Sequence, residues 1–207
     1  LLHDIGNFYQ RFDPEAVEKS KYLTNEIKNL ESTYCPYNSK GNYYSHKHVL
    51  WTAQFFHDHK NKINTVFGLE SSSDRLMTLA ASHHNPDKNN KLALIIQQAD
   101  ILSSAAEREE KKQEVKDYEK SWNFFKKVPL KSIFDIVSIK EKQYPQYATH
   151  PIETNPLEIK KLPISDDLNY IPNYAIWENF VNEFKQIPSS LSPQNFLETL
   201  DSLLHRY

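Results

Sequence analysis

The stretch LLHDIGNFYQRF, residues 1–12, sets a histidine directly against an aspartate between paired leucines and an Ile-Gly step. Its apolar flanks predict burial, and a buried charge needs a partner. No partner for Asp4 lies within the stretch, so it has to come from elsewhere in the chain. With no Met ahead of Leu1 and Leu2, the sequence is expected to enter a helix part-way along. Its ends at Leu1 and Tyr207 are expected to be those of an excised piece of a longer protein.

Working outward, the other histidines are the informative residues. There are 9, and seven of them precede residue 85: His3, then His46, His48, His57 and His59, then His83 and His84. Imidazole clusters of this kind point to a metal site. Composition sets the frame for it. The chain has 207 residues and only 3 glycines, which suits a mainly α protein with a sizeable core better than a turn-rich sandwich. A single cysteine, Cys35, excludes an internal disulfide framework and predicts a reducing, cytoplasmic setting. No apolar run reaches membrane length, so no membrane partner is expected. A net charge of −2 gives no global basic field to attract nucleic acid, though a local patch stays open.

Along the chain, Asp13-Pro14-Glu15 reads as a helix start, with Leu23, Ile27 and Leu30 at helical spacing and an end near Ser32. Residues 33–45 read as a loop. HKHVLWTAQFFHDH reads as a helix with His48, Trp51, Thr52 and Phe55 on one face, and His46 and His59 near its ends. A further helix after the serines at 71–73 turns Leu76, Leu79, Ala80 and His83 inward and stops at Asn85-Pro86. KLALIIQQADILSSAAEREE is apolar on most sides, with Asp100 at its middle. Strand-like IFDIVSI and a proline-rich stretch from Pro129 to Pro163 suggest short strands and loops, before two closing helices in YAIWENFVNEF and SPQNFLETLDSLLHRY. The expected division is 1–118 and 119–207.

Four groups could therefore meet in a bundle: His3-Asp4, His46 or His48, His83-His84, and Asp100. On this reading one helical turn supplies both His3 and Asp4, and the carboxylate can bridge two ions. Each group also has an ordinary reading. A histidine on an apolar face is often a hydrogen-bonded core residue, and His-His before Asn-Pro can sit at a helix C-terminus. Asp100 can pair with a cation of the bundle. Cys35 has no base nearby in sequence, and His57, His59, His150 and His205 read as surface or packing residues. Tyr43, Tyr44, Trp51, Phe55 and Phe56 could stack on bases or fill the core.

LLHDIGNFYQR, HVLWTAQF, SHHNP and IIQQADILSSAAERE, in this order and spacing, resemble the N-terminal HD domain of the large subunit of type III-A CRISPR interference complexes. The resemblance covers essentially the whole chain. It implies a circularly permuted HD bundle followed by a small strand-containing segment and C-terminal helices. It also implies a metal-dependent nuclease for single-stranded DNA, working with the other subunits of the complex, CRISPR RNA and target RNA. Carried over by motif, the ligands are His3, Asp4, His48, His83, His84 and Asp100, with Asp4 and His84 catalytic and with Asn7 and Arg11 facing substrate. One or two divalent transition ions are implied, Mn, Ni or Co rather than Mg. Asn7 stands where the family usually has lysine, which predicts reduced activity through a lost phosphate contact. No Gly-Gly-Asp-Asp motif is present, so synthesis of cyclic oligoadenylate is not expected. A nucleotide-acting HD phosphohydrolase and a degenerate docking module are the alternatives.

Overall fold

From His48 to Phe56 every residue of helix α4 (His48–Asp58) is buried, so this helix is enclosed on all sides and not on one face as its periodicity suggests. The sequence explains why: Val49, Leu50, Ala53 and Phe56 lie between the expected inward positions, and a helix apolar all round has to be surrounded. The computed structural model describes residues 2–13, 16–70, 74–111 and 175–207. Within them α4 is contacted by α1 (Ile5–Arg11), α2 (Asn25–Lys28), α3 (Glu31–Tyr34), α5 (Lys60–Phe67) and α6 (Arg75–Ala81). Helix α7 (Lys91–Lys111) packs on α6. The strands described are two residues each, β1 (Tyr37–Asn38) and β2 (Tyr43–Tyr44), paired antiparallel with Tyr37 opposite Tyr44. The described residues are thus mainly α, as expected, and the loop expected at 33–45 contains this small hairpin.

Helix α1 meets α4 closely at Gly6. A Cβ on Gly6 would overlap the His48 carbonyl oxygen and stand 2.6 Å from Thr52 Oγ1, so only glycine lets the two backbones come together. Thr52, fully buried, uses the contact: its hydroxyl donates to the His3 carbonyl (3.0 Å) and accepts the Gly6 N–H (3.0 Å). One threonine on α4 thereby fixes the turn that carries His3 and Asp4.

Several expectations need correction. His3 and Asp4 are not inside a helix; they form the turn that leads into α1, with Asp4 at its N-cap position. The helix expected from Asp13 to near Ser32 is broken into a 3-10 turn at Val17–Lys19 and the short helices α2 and α3. The reason is that Asp13 is buried, where it accepts hydrogen bonds from Trp51 Nε1 (2.8 Å) and Ser20 Oγ (2.5 Å). Ser20 Oγ in turn accepts from the Leu23 N–H at 3.0 Å, and the Thr24 side chain caps α2. These polar groups compete with helical hydrogen bonding and tie the segment to α4 instead. Helix α5 was not anticipated. It follows α4 after a one-residue break at His59 and ends at Gly68, whose left-handed backbone (φ 63°) closes the helix.

Helix α7 is less enclosed than its composition suggests, since Leu92, Ile95, Ile101 and Leu102 are exposed. The strand-like segment and the proline-rich stretch lie outside the described residues, as does the expected division at 118/119. The chain divides into compact units of Leu1–Lys116 with Pro188–Glu198 and of Asp117–Ile187 with Thr199–Tyr207. The two closing helices are present as α8 (Ala175–Gln186) and α9 (Pro193–Arg206). In the second unit Glu183 accepts from Arg206 Nη1 and from the Tyr207 hydroxyl, both at 2.7 Å.

Gly6→Ala is expected to destabilise the fold by about 1–3 kcal/mol, because the clash is with backbone that has no room to yield. A urea midpoint unchanged from wild type would show that α1 is free to move away from α4.

Candidate metal centre

Aspartate at a helix N-cap ordinarily turns its carboxylate back to the first-turn N–H groups. Asp4 does not: its side chain makes no cap hydrogen bond to α1. The carboxylate points instead at three imidazoles brought by other parts of the chain. Oδ1 lies 3.2 Å from His48 Nε2 and 3.4 Å from His83 Nε2, and Oδ2 lies 3.6 Å from His3 Nε2. His48 is supplied by the first turn of α4, next to the carbonyl that Gly6 approaches. His83 and His84 come from the turn after α6. That turn is tied down by the Asn85 side chain, which donates to the Thr33 carbonyl at 2.9 Å. Asp100, midway along α7, completes the set with Oδ1 3.4 Å from His3 Nε2.

Two overlapping groups could each hold an ion. Asp4, His48, His83 and His84 offer ligand atoms that all lie within 4.8 Å of one another, and so do His3, Asp4 and Asp100. Asp4 belongs to both, with one oxygen turned to each. All six ligands expected from the sequence are therefore brought together. His48, not His46, stands among them, and His46 is at the edge with its ring 4.1 Å from that of His84.

The fit of a cation to these residues rests on hydrogen positions. His83 is fully buried and its Nδ1 lies 2.6 Å from the Ala80 carbonyl oxygen, which can only accept. Nδ1 therefore carries the proton, and in the neutral ring Nε2 presents a lone pair. That lone pair faces the carboxylate oxygen Asp4 Oδ1. Two acceptors pointed at each other repel unless something positive lies between them. Asp4 Oδ1, His48 Nε2 and His83 Nε2 are all buried with no hydrogen-bond partner, a burden that a shared cation relieves. A ring N–H held by a backbone carbonyl is also the usual support of a metal-binding histidine.

The electrostatics agree. Burial alone would raise the Asp4 carboxyl, but the His48 and His83 imidazoles beside it, with the charge of His3, hold it well below the ordinary carboxylate range. Burial would lower His83, yet Asp4 and the Ala80 carbonyl together raise it. His84 is pushed down to about 3, first by burial and then by His83, His46 and His48 around it. At neutral pH His84 is thus an uncharged lone-pair donor and a poor proton carrier.

Asn7 is exposed and Arg11 half-buried, one and two turns beyond Asp4 on the same side of α1. Of the aromatics considered for base stacking, Trp51, Phe55 and Phe56 are buried in the core and so cannot stack on a base; Tyr43 is exposed and Tyr44 half-buried. His59 packs its ring 4.7 Å from Phe55. Sequence reasoning missed Thr52 as the residue that positions His3. Its place one turn after His48 was the available signal.

No protein-family model matches the chain, nor does any curated protein or solved structure.

Cys35 stands outside the centre, buried, with its thiol pushed up to about 12 by that burial and by the charge of Glu31. Because only the thiolate reacts, a disulfide reagent at pH 8 is expected to modify Cys35 slowly in the native protein and at once in urea. Fast, stoichiometric modification of the native protein would contradict this burial.

Proposed function

We propose that the chain is a metal-dependent phosphodiesterase that cleaves single-stranded DNA. On this reading it is a permuted HD domain of a type III-A CRISPR large subunit, acting in the cytoplasm with the other subunits, CRISPR RNA and target RNA. The observation that carries the reading is the Asp4 carboxylate shared between two groups, one oxygen turned to the imidazoles of His48 and His83 and the other to His3 beside Asp100. This disposition suits a pair of divalent ions, and a donor set dominated by nitrogen favours Mn, Co or Ni over Mg. When bound, such ions lower the pKa of water to near neutrality and neutralise charge on the attacked phosphate.

The residues of the chain divide the remaining work. Asp4, His48, His83 and His84 hold one position, and His3 and Asp100 with Asp4 hold the other. Ala80 fixes the tautomer of His83 through the bond to Nδ1. Thr52 fixes the turn of His3 and Asp4 relative to His48. His84, kept neutral, offers its lone pair over the physiological pH range. Asn7, exposed and three residues after Asp4, takes the position where the family that the chain resembles usually has lysine. The reaction therefore proceeds without that charge, at a lower rate and with every ligand in place.

A second reading, the docking module, draws on α7, where Leu92, Ile95, Ile101 and Leu102 are exposed and suit a protein partner. The two readings differ in the use made of the Asp4 cluster. The nuclease needs it, and the docking module does not.

Incubated with Mn, Co or Ni, the protein is expected to degrade a labelled single-stranded oligonucleotide, and less so with Mg. Asp4→Ala is expected to lower the rate at least 100-fold, since one substitution removes the group common to both positions. Undiminished cleavage by Asp4→Ala would remove the metal mechanism. Absence of cleavage with every ion would favour the docking module.

A further inference from the structure

We propose that the two positions of the centre are unequal: an inner one, closed by protein ligands, keeps a resident Co- or Ni-like ion, and an outer, open one takes an exchangeable Mn or Mg ion. The inference rests on the metal-centre reading and adds to it the order and the selectivity of filling.

The donor sets differ first. Asp4, His48, His83 and His84 give the inner position three imidazole nitrogens and one carboxylate oxygen. His3, Asp4 and Asp100 give the outer position one nitrogen and two oxygens. Imidazole suits ions late in the first transition row, whereas carboxylate and water suit Mn and Mg. Ligand number points the same way. Four protein donors close a tetrahedral site, and three leave a place for water or a substrate oxygen. Mg in particular is held by one or two carboxylates and completed by water and phosphate oxygens.

Burial separates the positions as well. The His48 side chain is 10% exposed and that of His83 0%, against 31% for His3 and 14% for Asp100. Asp4 Oδ1, His48 Nε2 and His83 Nε2 are buried without a hydrogen-bond partner, a state that no side-chain atom of His3 or Asp100 shares. His3 Nε2 and Asp100 Oδ1 are instead hydrogen-bonded to each other at 3.4 Å. The inner atoms thus gain partners only when an ion joins them, while at the outer position an incoming ion has to displace an existing bond. The inner position fills first and tightly, and the outer one second and weakly.

The test uses the full chain, Co and Mn as probes, and calorimetry with metal analysis as the readouts. Co is expected to bind the wild type in two steps, the second at least about tenfold weaker than the first. Excess Mn is expected to displace the second Co and leave the first. Asp100→Asn is expected to lose the second step and keep the first. His84→Ala is expected to weaken the first step at least about tenfold while Mn still binds at the outer position. Two Co ions bound to the wild type with equal affinity would overturn the proposal, whatever the fate of the variants. So would a single bound ion at every Co concentration, or a first step lost in Asp100→Asn and kept in His84→Ala. In each of those cases this inference alone falls. If the wild type bound no Co, the metal-centre reading would fall with it.

Discussion

The contact between α1 and α4 at Gly6 and Thr52 is the constraint on which the centre depends. Without a side chain at Gly6 the two backbones approach until the Thr52 hydroxyl bridges the His3 carbonyl and the Gly6 N–H. One bridged group is the His3 carbonyl in the turn and the other the Gly6 N–H in the first turn of α1, while His48 stands one turn before Thr52 on α4. The short bridge sets the separation of ligands that are more than 40 residues apart in sequence. Burial strengthens it, because either backbone group left unpaired would cost about 1–3 kcal/mol. A site of this kind needs rigid support, since a displacement of about 1 Å is enough to spoil it.

The polar atoms at the centre are arranged for a ligand at the expense of the bare fold. Asp4 forgoes the cap of its own helix, and His83 has its only N–H fixed on Ala80. What results is a buried carboxylate oxygen opposed by buried imidazole nitrogens. A proton on His83 satisfies that arrangement in one state and a divalent cation satisfies it in another. Both would occupy the same gap between Asp4 Oδ1 and His83 Nε2, so a bound cation would have to displace that proton.

How far the sequence reveals this varies by element. The cluster was partly legible because some of its residues sit in apolar settings that need explanation, as with Asp4 between Leu2 and Ile5 and Asp100 in the middle of KLALIIQQADILSS. Helix α4 was legible from its periodicity, which pointed to one inward face and missed that the apolar residues between those positions are enclosed as well. The break after Asp13 was not legible, because Asp-Pro-Glu is a sound local signal for a helix. It lost to a tertiary partner, Trp51, which lies 38 residues away. Helix α5 was hidden by the unbroken run of polar residues from His57 to Lys62.

The most direct measurement is a crystal of the protein soaked with Mn or Co and examined by anomalous scattering at the edge of the metal. The expected result is a peak between Asp4 Oδ1, His48 Nε2 and His83 Nε2, with a second beside His3 and Asp100 if two ions bind. A map with no peak among these residues, in protein whose Asp4 and His83 keep their places, would contradict the metal centre.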